Sequence, residues 1–376
     1  MNLSYWEKHT WLTNIDVAII GSGIVGLSCA LTLKQRNPKL KVVVFEKGML
    51  PSGASTKNAG FACFGSISEI LDDLKTHTED EVLNLVQARV NGLQLLRTTL
   101  GDTEIDYQQH GGYEIFTEND TELAEECIDN VPMVNNLLKN VFSGQKEVFS
   151  IKKQPFSFKN VQKQVIFNRF EGQLDTGKMM KALLRECSEK GVLVLNNAEI
   201  MSISAENDQI SLNLNNTVTF SAKKVGIATN GFAKQLLEAD LQPARAQVLI
   251  TYPIPNLKVK GTFHLDRGYY YFRNIHDRIL FGGGRNLDFS AEQTTQMGLT
   301  ETVQNELERL LKTTILPETA FTIDSRWSGI MGVGKQKKPI IREVQPNVYC
   351  GVRLGGMGIA IGSSVGNELA AAIESI

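Results

Sequence analysis

The sequence predicts an α/β fold in which a parallel-sheet unit is interleaved with a mixed-sheet α+β unit. Three observations predict it. Segments 15–20, 40–45 and 224–229 are almost wholly apolar, as strands covered on both faces are. A helical pattern at 27–35 separates the first two, giving the order strand, helix, strand. Between residues 247 and 284 the pattern changes to short, aromatic-rich strands of the antiparallel kind. At 376 residues the chain exceeds the size at which one core usually keeps growing, so two units are expected. Residues 1–80, 166–242 and 326–376 are assigned to the first unit, and 81–165 and 243–325 to the second.

The elements follow in order. Segment 15–20 is a buried strand, and Gly21-Ser22-Gly23-Ile24-Val25-Gly26 comes at once after it. The helix carries Cys29, Ala30 and Leu33, Pro38 ends the connection, and the second strand finishes at Glu46. Gly21 permits the tight turn, Gly23 lets backbone approach a pyrophosphate, and Gly26 lets the helix lie on the sheet. The helix start offers free N–H groups and a positive dipole end to the phosphates. Glu46 stands where a carboxylate accepts the ribose hydroxyls, which argues for a dinucleotide without a 2′-phosphate. Such a fingerprint serves NAD or FAD. Pro51-Ser52-Gly53-Ala54-Ser55-Thr56-Lys57-Asn58-Ala59-Gly60 separates them, because an NAD enzyme normally enters another helix here. A long loop of small and hydroxyl residues suits a second pass along the pyrophosphate of FAD.

From here the sequence resembles the FAD-dependent oxidoreductases of the D-amino-acid oxidase superfamily, on the side of glycine oxidase, sarcosine oxidase, D-amino-acid dehydrogenase and γ-glutamylputrescine oxidase. The resemblance rests on Asp16 to Gly26, Phe45-Glu46-Lys47, Gly53 to Gly60 and Glu171-Gly172-Gln173-Leu174-Asp175. It continues through Gly226-Ile227-Ala228-Thr229-Asn230-Gly231, Trp327-Ser328-Gly329, Pro339-Ile340 and Leu354-Gly355-Gly356-Met357-Gly358. It implies a Rossmann-like FAD-binding domain and a mixed sheet that roofs the flavin and holds substrate. It implies cofactor contacts from Gly21, Gly23, Ile24, Val25, Gly26, Glu46, Lys47, Ser55, Thr56, Asn58, Ala59 and Gly60. Further contacts are expected from Thr229, Gly231, Gly329, Gly355, Gly356, Met357, Gly358 and Ile359. Tyr271, Arg273 and Met357 are the expected substrate-facing residues. The reaction implied is oxidation of a C–N bond in a small amine or amino acid, by hydride transfer to flavin N5 and hydrolysis of the imine.

Three departures from the relatives bear on the substrate. Glycine oxidase and its relatives carry an Arg just after the Trp-X-Gly step, whereas this chain reads Trp327-Ser328-Gly329-Ile330-Met331. A substrate carboxylate would then need Arg273 or Arg326, and the pattern looks closer to the γ-glutamylputrescine oxidase branch. The last glycine loop has apolar neighbours in place of the His and Lys of sarcosine oxidase. No Cys lies in 331–338, so FAD is expected to be held noncovalently. Oxygen, a quinone or a carrier remains open as the electron acceptor.

The other segments have plainer readings. Segments 67–100 and 123–138 are core-facing helices. A helix at 174–190 buries Met179, Met180, Leu183 and Leu184, for which packing is favoured over a sulfur role. Short strands follow at 192–195, 200–203, 210–214 and 218–222. Tyr269, Tyr270, Tyr271 and Phe272 alternate between two faces of a strand, one pair in a core and the other at a pocket or wet surface. An amphipathic helix is expected at 297–311. A last helix at 359–373 would aim its N-terminal N–H groups at the flavin's electron-rich edge.

Composition closes off other classes. Lys and Arg number 39 against 41 Asp and Glu, a net charge of −2, which gives no general attraction for nucleic acid or anionic membrane. The five Cys show no CxxC pair, so buried thiols, no metal site and a reducing, cytoplasmic setting are expected. No export signal and no bilayer-spanning segment are read from the chain. Two alternatives stand beside amine oxidation. A 2-hydroxy-acid dehydrogenase would need a pocket His and Arg, with His264, His276 and Arg273 available. A non-catalytic FAD-binding protein would have no pocket at the ring's open face.

Overall fold

The computed structural model describes residues 3–142, 144, 147–206 and 209–375. The first sheet runs Ile340–Gln345, Val348–Val352, Val218–Ile227, Ile15–Ile20, Val42–Phe45, Leu193–Leu195. Every pairing from Val348–Val352 across to Leu193–Leu195 is parallel. Strands Gln209–Leu214 and Ile200–Glu206 extend from Val218–Ile227 as an antiparallel meander. The register places the functional edge: Ile20 pairs with Phe45 on one side and Ile227 on the other. Gly21, Glu46 and Ala228 therefore leave the sheet together at its carboxyl end, where ligands bind in such folds.

Helices Ile24–Arg36, Thr176–Glu189, Gly358–Glu374 and Glu79–Leu100 form one core with the sheet, through Leu27, Leu33, Leu93, Met180, Leu183 and Leu369. Glu79–Leu100 and Gly358–Glu374 meet backbone to backbone, since a Cβ on Gly92 would stand 2.3 Å from the Ala360 carbonyl oxygen. Met179 and Met180 are fully buried in this core, which is the packing role expected of them.

The second sheet runs Ile323–Val333, Gln242–Thr251, Arg278–Gly283, Tyr270–Ile275, Thr262–Leu265, Gly112–Glu114, Gln164–Asn168, Phe149–Lys153. It is antiparallel except where Thr262–Leu265 meets Gly112–Glu114. Its strands Gln164–Asn168 and Ile323–Val333 run across residues 166 and 326. One face is packed by Phe263, Phe272 and Phe281 under helix Glu301–Leu310. The Phe263 and Phe272 rings stack with centroids 4.5 Å apart. The other face looks toward the carboxyl edge of the first sheet. The two-stranded pair Phe61–Ala62 and Gly172–Gln173 lies between the sheets in the chain path.

Several local expectations are corrected. The first helix begins at Ile24, because Gly23 is its N-cap and the turn is shorter than the apolar pattern implied. The loop at 51–60 contains a turn of helix, Ala54–Lys57. Segments 218–222 and 224–229 form one strand, Val218–Ile227, whose second half is the parallel one. The helix expected at 297–311 begins only at Glu301 and unwinds into a π turn at Leu311–Ile315. All five Cys are buried and free.

Candidate active site

A cleft of about 580 Å³ lies between the carboxyl edge of the first sheet and the open face of the second. At one end are Glu46, Ala198, Glu199 and Ile200; the glycine turn Gly21 to Val25 follows with Ser55 opposite. Gly329, Met331 and Gly355 to Ile359 line its middle, and Phe61, Cys63, His264 and Tyr271 its far end.

Glu46 is buried and gathers the turn around it. Its Oε2 accepts from the Ser22 hydroxyl at 2.8 Å and the Ser22 N–H at 3.2 Å. Its Oε1 accepts from Gly48 N–H at 2.9 Å and the Ser52 hydroxyl at 2.9 Å. A carboxylate fixed in this way is pre-oriented at the edge where ribose hydroxyls would arrive. The Ser55 hydroxyl accepts from Ile24 N–H at 3.0 Å, drawing loop 51–60 over the helix start. Asn58 locks that loop: its amide donates to the Ala54 and Ser55 carbonyls, and its Oδ1 accepts from Gly60 N–H at 2.7 Å and the Thr176 hydroxyl at 3.0 Å. Asn230 fixes the far loop in the same manner, its Oδ1 accepting from the N–H groups of Arg353 and Leu354.

The cleft brings together Gly21, Gly23, Ile24, Val25, Glu46, Lys47, Ser55, Asn58, Ala59, Thr229, Gly329, Gly355, Gly356, Met357, Gly358, Ile359 and Tyr271. Gly26, Thr56, Gly60, Gly231 and Arg273 are outside its lining. Gly26 and Gly231 serve close approach: a Cβ on Gly26 would stand 1.9 Å from the Gly21 carbonyl oxygen, and one on Gly231 2.5 Å from that of Met331. Thr56 turns its hydroxyl to the Pro51 carbonyl at 2.7 Å. Arg273 is buried among backbone carbonyls, donating to Ala59 and to Leu174, the latter at 2.9 Å. Burial pulls its guanidinium down to about 10, against the pull of Asp175 and Asp106. It braces loop 58–60 and opens on a second, smaller pocket with His276 and Trp327. Arg326 is engaged with Gln304 and Glu308.

These residues fit the FAD that the resemblance implies. The cradle is tight at its two glycines, since a Cβ on Gly21 would stand 2.9 Å from the Ala228 carbonyl oxygen and one on Gly23 2.8 Å from Ser55 Oγ. Thr229 lines the cleft, and its buried hydroxyl has no hydrogen-bond partner among the described residues. Helix Gly358–Glu374 starts on the cleft with no side-chain cap, leaving its terminal N–H groups for a ligand.

Sequence reasoning gave little weight to the far end. His264 Nε2 lies 3.0 Å from Glu171 Oε2, and Glu171 also accepts from the Thr262 hydroxyl. Burial alone would lower the imidazole, yet the Glu171 carboxylate and its hydrogen bond, with Glu69 and Glu114, outweigh it. The net effect raises His264 to about 9. Tyr271 leans its ring edge on Phe61. Burial pushes its phenol up to about 12, against a smaller lowering by Arg285. Arg285 also lines the cleft, directly after Gly282-Gly283-Gly284. A cation placed straight after three glycines was the available signal for it. Burial raises the Cys63 thiol well above its ordinary value, so it stands in the cleft as a neutral group.

The probable oxidoreductase OrdL of Haemophilus influenzae is 21% identical over 384 residues, covering 97% of this chain and 84% of the relative. The crystal structure of glycine oxidase from Geobacillus kaustophilus superimposes with a TM-score of 0.75 at 20% identity, covering 96% of this chain and 94% of that one. The L-proline dehydrogenase of P. horikoshii gives a TM-score of 0.75 at 18% identity, with the same coverages of 96% and 94%. These structural likenesses establish the shared fold. The model of the FAD dependent oxidoreductase family matches residues 16–372, and the chain belongs to that family.

Proposed function

We propose that this FAD-dependent oxidoreductase oxidises a C–N bond of a small amine or amino acid. The observation that carries the reading is a single cleft whose lining joins the dinucleotide cradle to Phe61, Cys63, His264 and Tyr271. A protein that only stored FAD would have no use for an imidazolium and a phenol in that lining. FAD held by Glu46, the Gly21–Gly23 turn and loop 355–358 would supply a two-electron acceptor for the hydride of the substrate Cα–H. The chain's own residues do the rest. Phe61 and Tyr271 form an apolar and phenolic wall that orients the C–H and excludes water. The imidazolium of His264 stands beside the bound amine and disfavours a second positive charge there, which holds the amine in its neutral, oxidisable form. Water then hydrolyses the imine after release.

The neutral Cys63 thiol and the absence of Cys from 331–338 support noncovalent FAD. The buried free thiols support a reducing, cytoplasmic setting, and among the described residues no helix is long and apolar enough to cross a membrane. Oxygen, a quinone or a carrier protein would take the electrons onward.

One observation favours a second reading, oxidation of a 2-hydroxy acid. The His264 imidazolium, held by Glu171, is a cation in the cleft lining that would pair with the carboxylate of a 2-hydroxy acid. Anaerobic bleaching of the purified protein's flavin separates the two. Amines, D- and L-amino acids, N-methyl amino acids, polyamines and 2-hydroxy acids would be added in turn, and air then readmitted. Bleaching by a nitrogen compound is expected. Bleaching by hydroxy acids alone sinks the C–N reading, and fast recovery in air identifies oxygen as an acceptor.

A further inference from the structure

The departure at Met331 leaves the question of what would hold a substrate carboxylate, and the structure narrows it residue by residue. Arg273 is committed to the carbonyls of Ala59 and Leu174. Arg326 is committed to Gln304 and Glu308. Arg245 is bound to Glu292. Arg353 is bound to Lys338 carbonyl and Asp240. Arg267 is exposed at the mouth, near Asp72 and Asp266. Arg285 differs from all of these. It lines the cleft, is partly buried, and its guanidinium has no hydrogen bond or ion pair among the described residues.

The fork is nonetheless held. Its central carbon lies 5.4 Å from the Tyr269 ring centre and 5.1 Å from that of Phe289. Those two rings contact each other edge-on. Stacking of this kind fixes the plane of a guanidinium while leaving its N–H groups free at the edge. The backbone beneath is fixed as well: Gly284 is left-handed at φ 77°, and the Asn286 amide donates to Asp266 at 2.9 Å. Tyr271 lines the same cleft and pairs in the strand ladder with Gly282, three residues before Arg285. Gly282 makes room for that ring, since a Cβ there would stand 2.7 Å from it. The result is an unpaired planar cation and a phenol that line one cleft.

We propose that Arg285, with Tyr271 as second donor, binds a carboxylate of the substrate, so that the compound oxidised is an amino or imino acid in preference to a simple amine. The assignment rests on the C–N oxidation reading above. A planar fork pairs both oxygens of a carboxylate, which a solvated lysine at the mouth does not do.

The test uses the FAD-loaded protein as wild type, Arg285→Met and Arg285→Lys. Acetate and benzoate, with acetamide and benzamide as uncharged partners, are titrated while the flavin visible band is followed. The Arg285 guanidinium has no hydrogen bond or ion pair among the described residues, so its replacement loses only the ring stacking and should lower melting temperature by no more than about a few degrees with flavin content unchanged. Both carboxylates should perturb the wild-type band. Arg285→Met should bind them roughly 30- to 100-fold more weakly, and Arg285→Lys should fall between. The amides should bind none of the three proteins well. Equal carboxylate affinity in wild type and Arg285→Met overturns the proposal, as does a wild type that binds neither carboxylate. The two readings fail separately. Bleaching by an amino acid at the same rate and half-saturating concentration in wild type and Arg285→Met keeps C–N oxidation and removes the anchor. Bleaching by 2-hydroxy acids alone, lost in Arg285→Met, keeps the anchor and removes C–N oxidation.

Discussion

His264 Nε2 lies 3.0 Å from Glu171 Oε2, and the two residues occupy different layers of the molecule. The imidazole lines the cleft, while the carboxylate lies behind it, 1% exposed, and is not part of the lining. Strand Thr262–Leu265 carries the histidine, and the glutamate precedes Gly172–Gln173. Neither could be paired with the other from sequence spacing.

This pair sets a pH dependence. The His264 pKa is raised from the ordinary 6.5 to about 9 in the folded state. A raised folded value contributes stability that is fully present below pH 6.5 and is lost as pH rises through 9. Melting temperature at constant ionic strength should therefore fall by several degrees across that window. Glu171→Gln should flatten the fall, because the main raising influence is gone. A wild-type curve that rises over the same range would contradict the assignment.

Glu46 should govern cofactor retention. Glu46→Gln keeps the shape but turns one acceptor oxygen into a donor that faces the N–H and hydroxyl groups now pointing at it. We expect FAD affinity to fall roughly 10- to 100-fold, a loss of charge-assisted hydrogen bonds. The flavin-to-protein absorbance ratio after gel filtration reads this directly.

Two glycines in the fingerprint region should respond in opposite ways to alanine. At Gly26 a Cβ would stand 1.9 Å from the Gly21 backbone carbonyl, and at Gly53 nothing lies within 4 Å. Gly26→Ala should lose at least about 2–3 kcal/mol of stability together with FAD binding. Gly53→Ala should stay within about 0.5 kcal/mol of wild type in a urea titration.

Away from the cleft, Glu292 is 2% exposed and accepts from Arg245 Nε at 2.7 Å, Gln247 at 2.8 Å and Thr300 at 3.1 Å. Glu292→Ala leaves the buried Arg245 unpaired and should cost about 3–5 kcal/mol. The double change Arg245→Met with Glu292→Leu should recover much of that in the same denaturation assay. A double variant no more stable than the single one would show that the network has a different role.

The sequence by itself determined the dinucleotide cradle and the fold class. Gly21, Gly23, Gly26 and Glu46 are separated by only a strand, a turn and a helix, so local backbone rules fix their arrangement. The apolar runs likewise announced a parallel sheet, and the alternation at Tyr269 to Phe272 announced a strand with two unlike faces. It did not reveal which pair faced which way. Only packing decided that Tyr270 and Phe272 enter the core while Tyr271 lines the cleft, since that depends on helix Glu301–Leu310 covering one side. Packing also turned Arg273 toward the carbonyls of loop 58–60 and left Arg285 unpaired on two rings. Arginines look alike in sequence, and what each does depends on which acceptors the second sheet brings within reach.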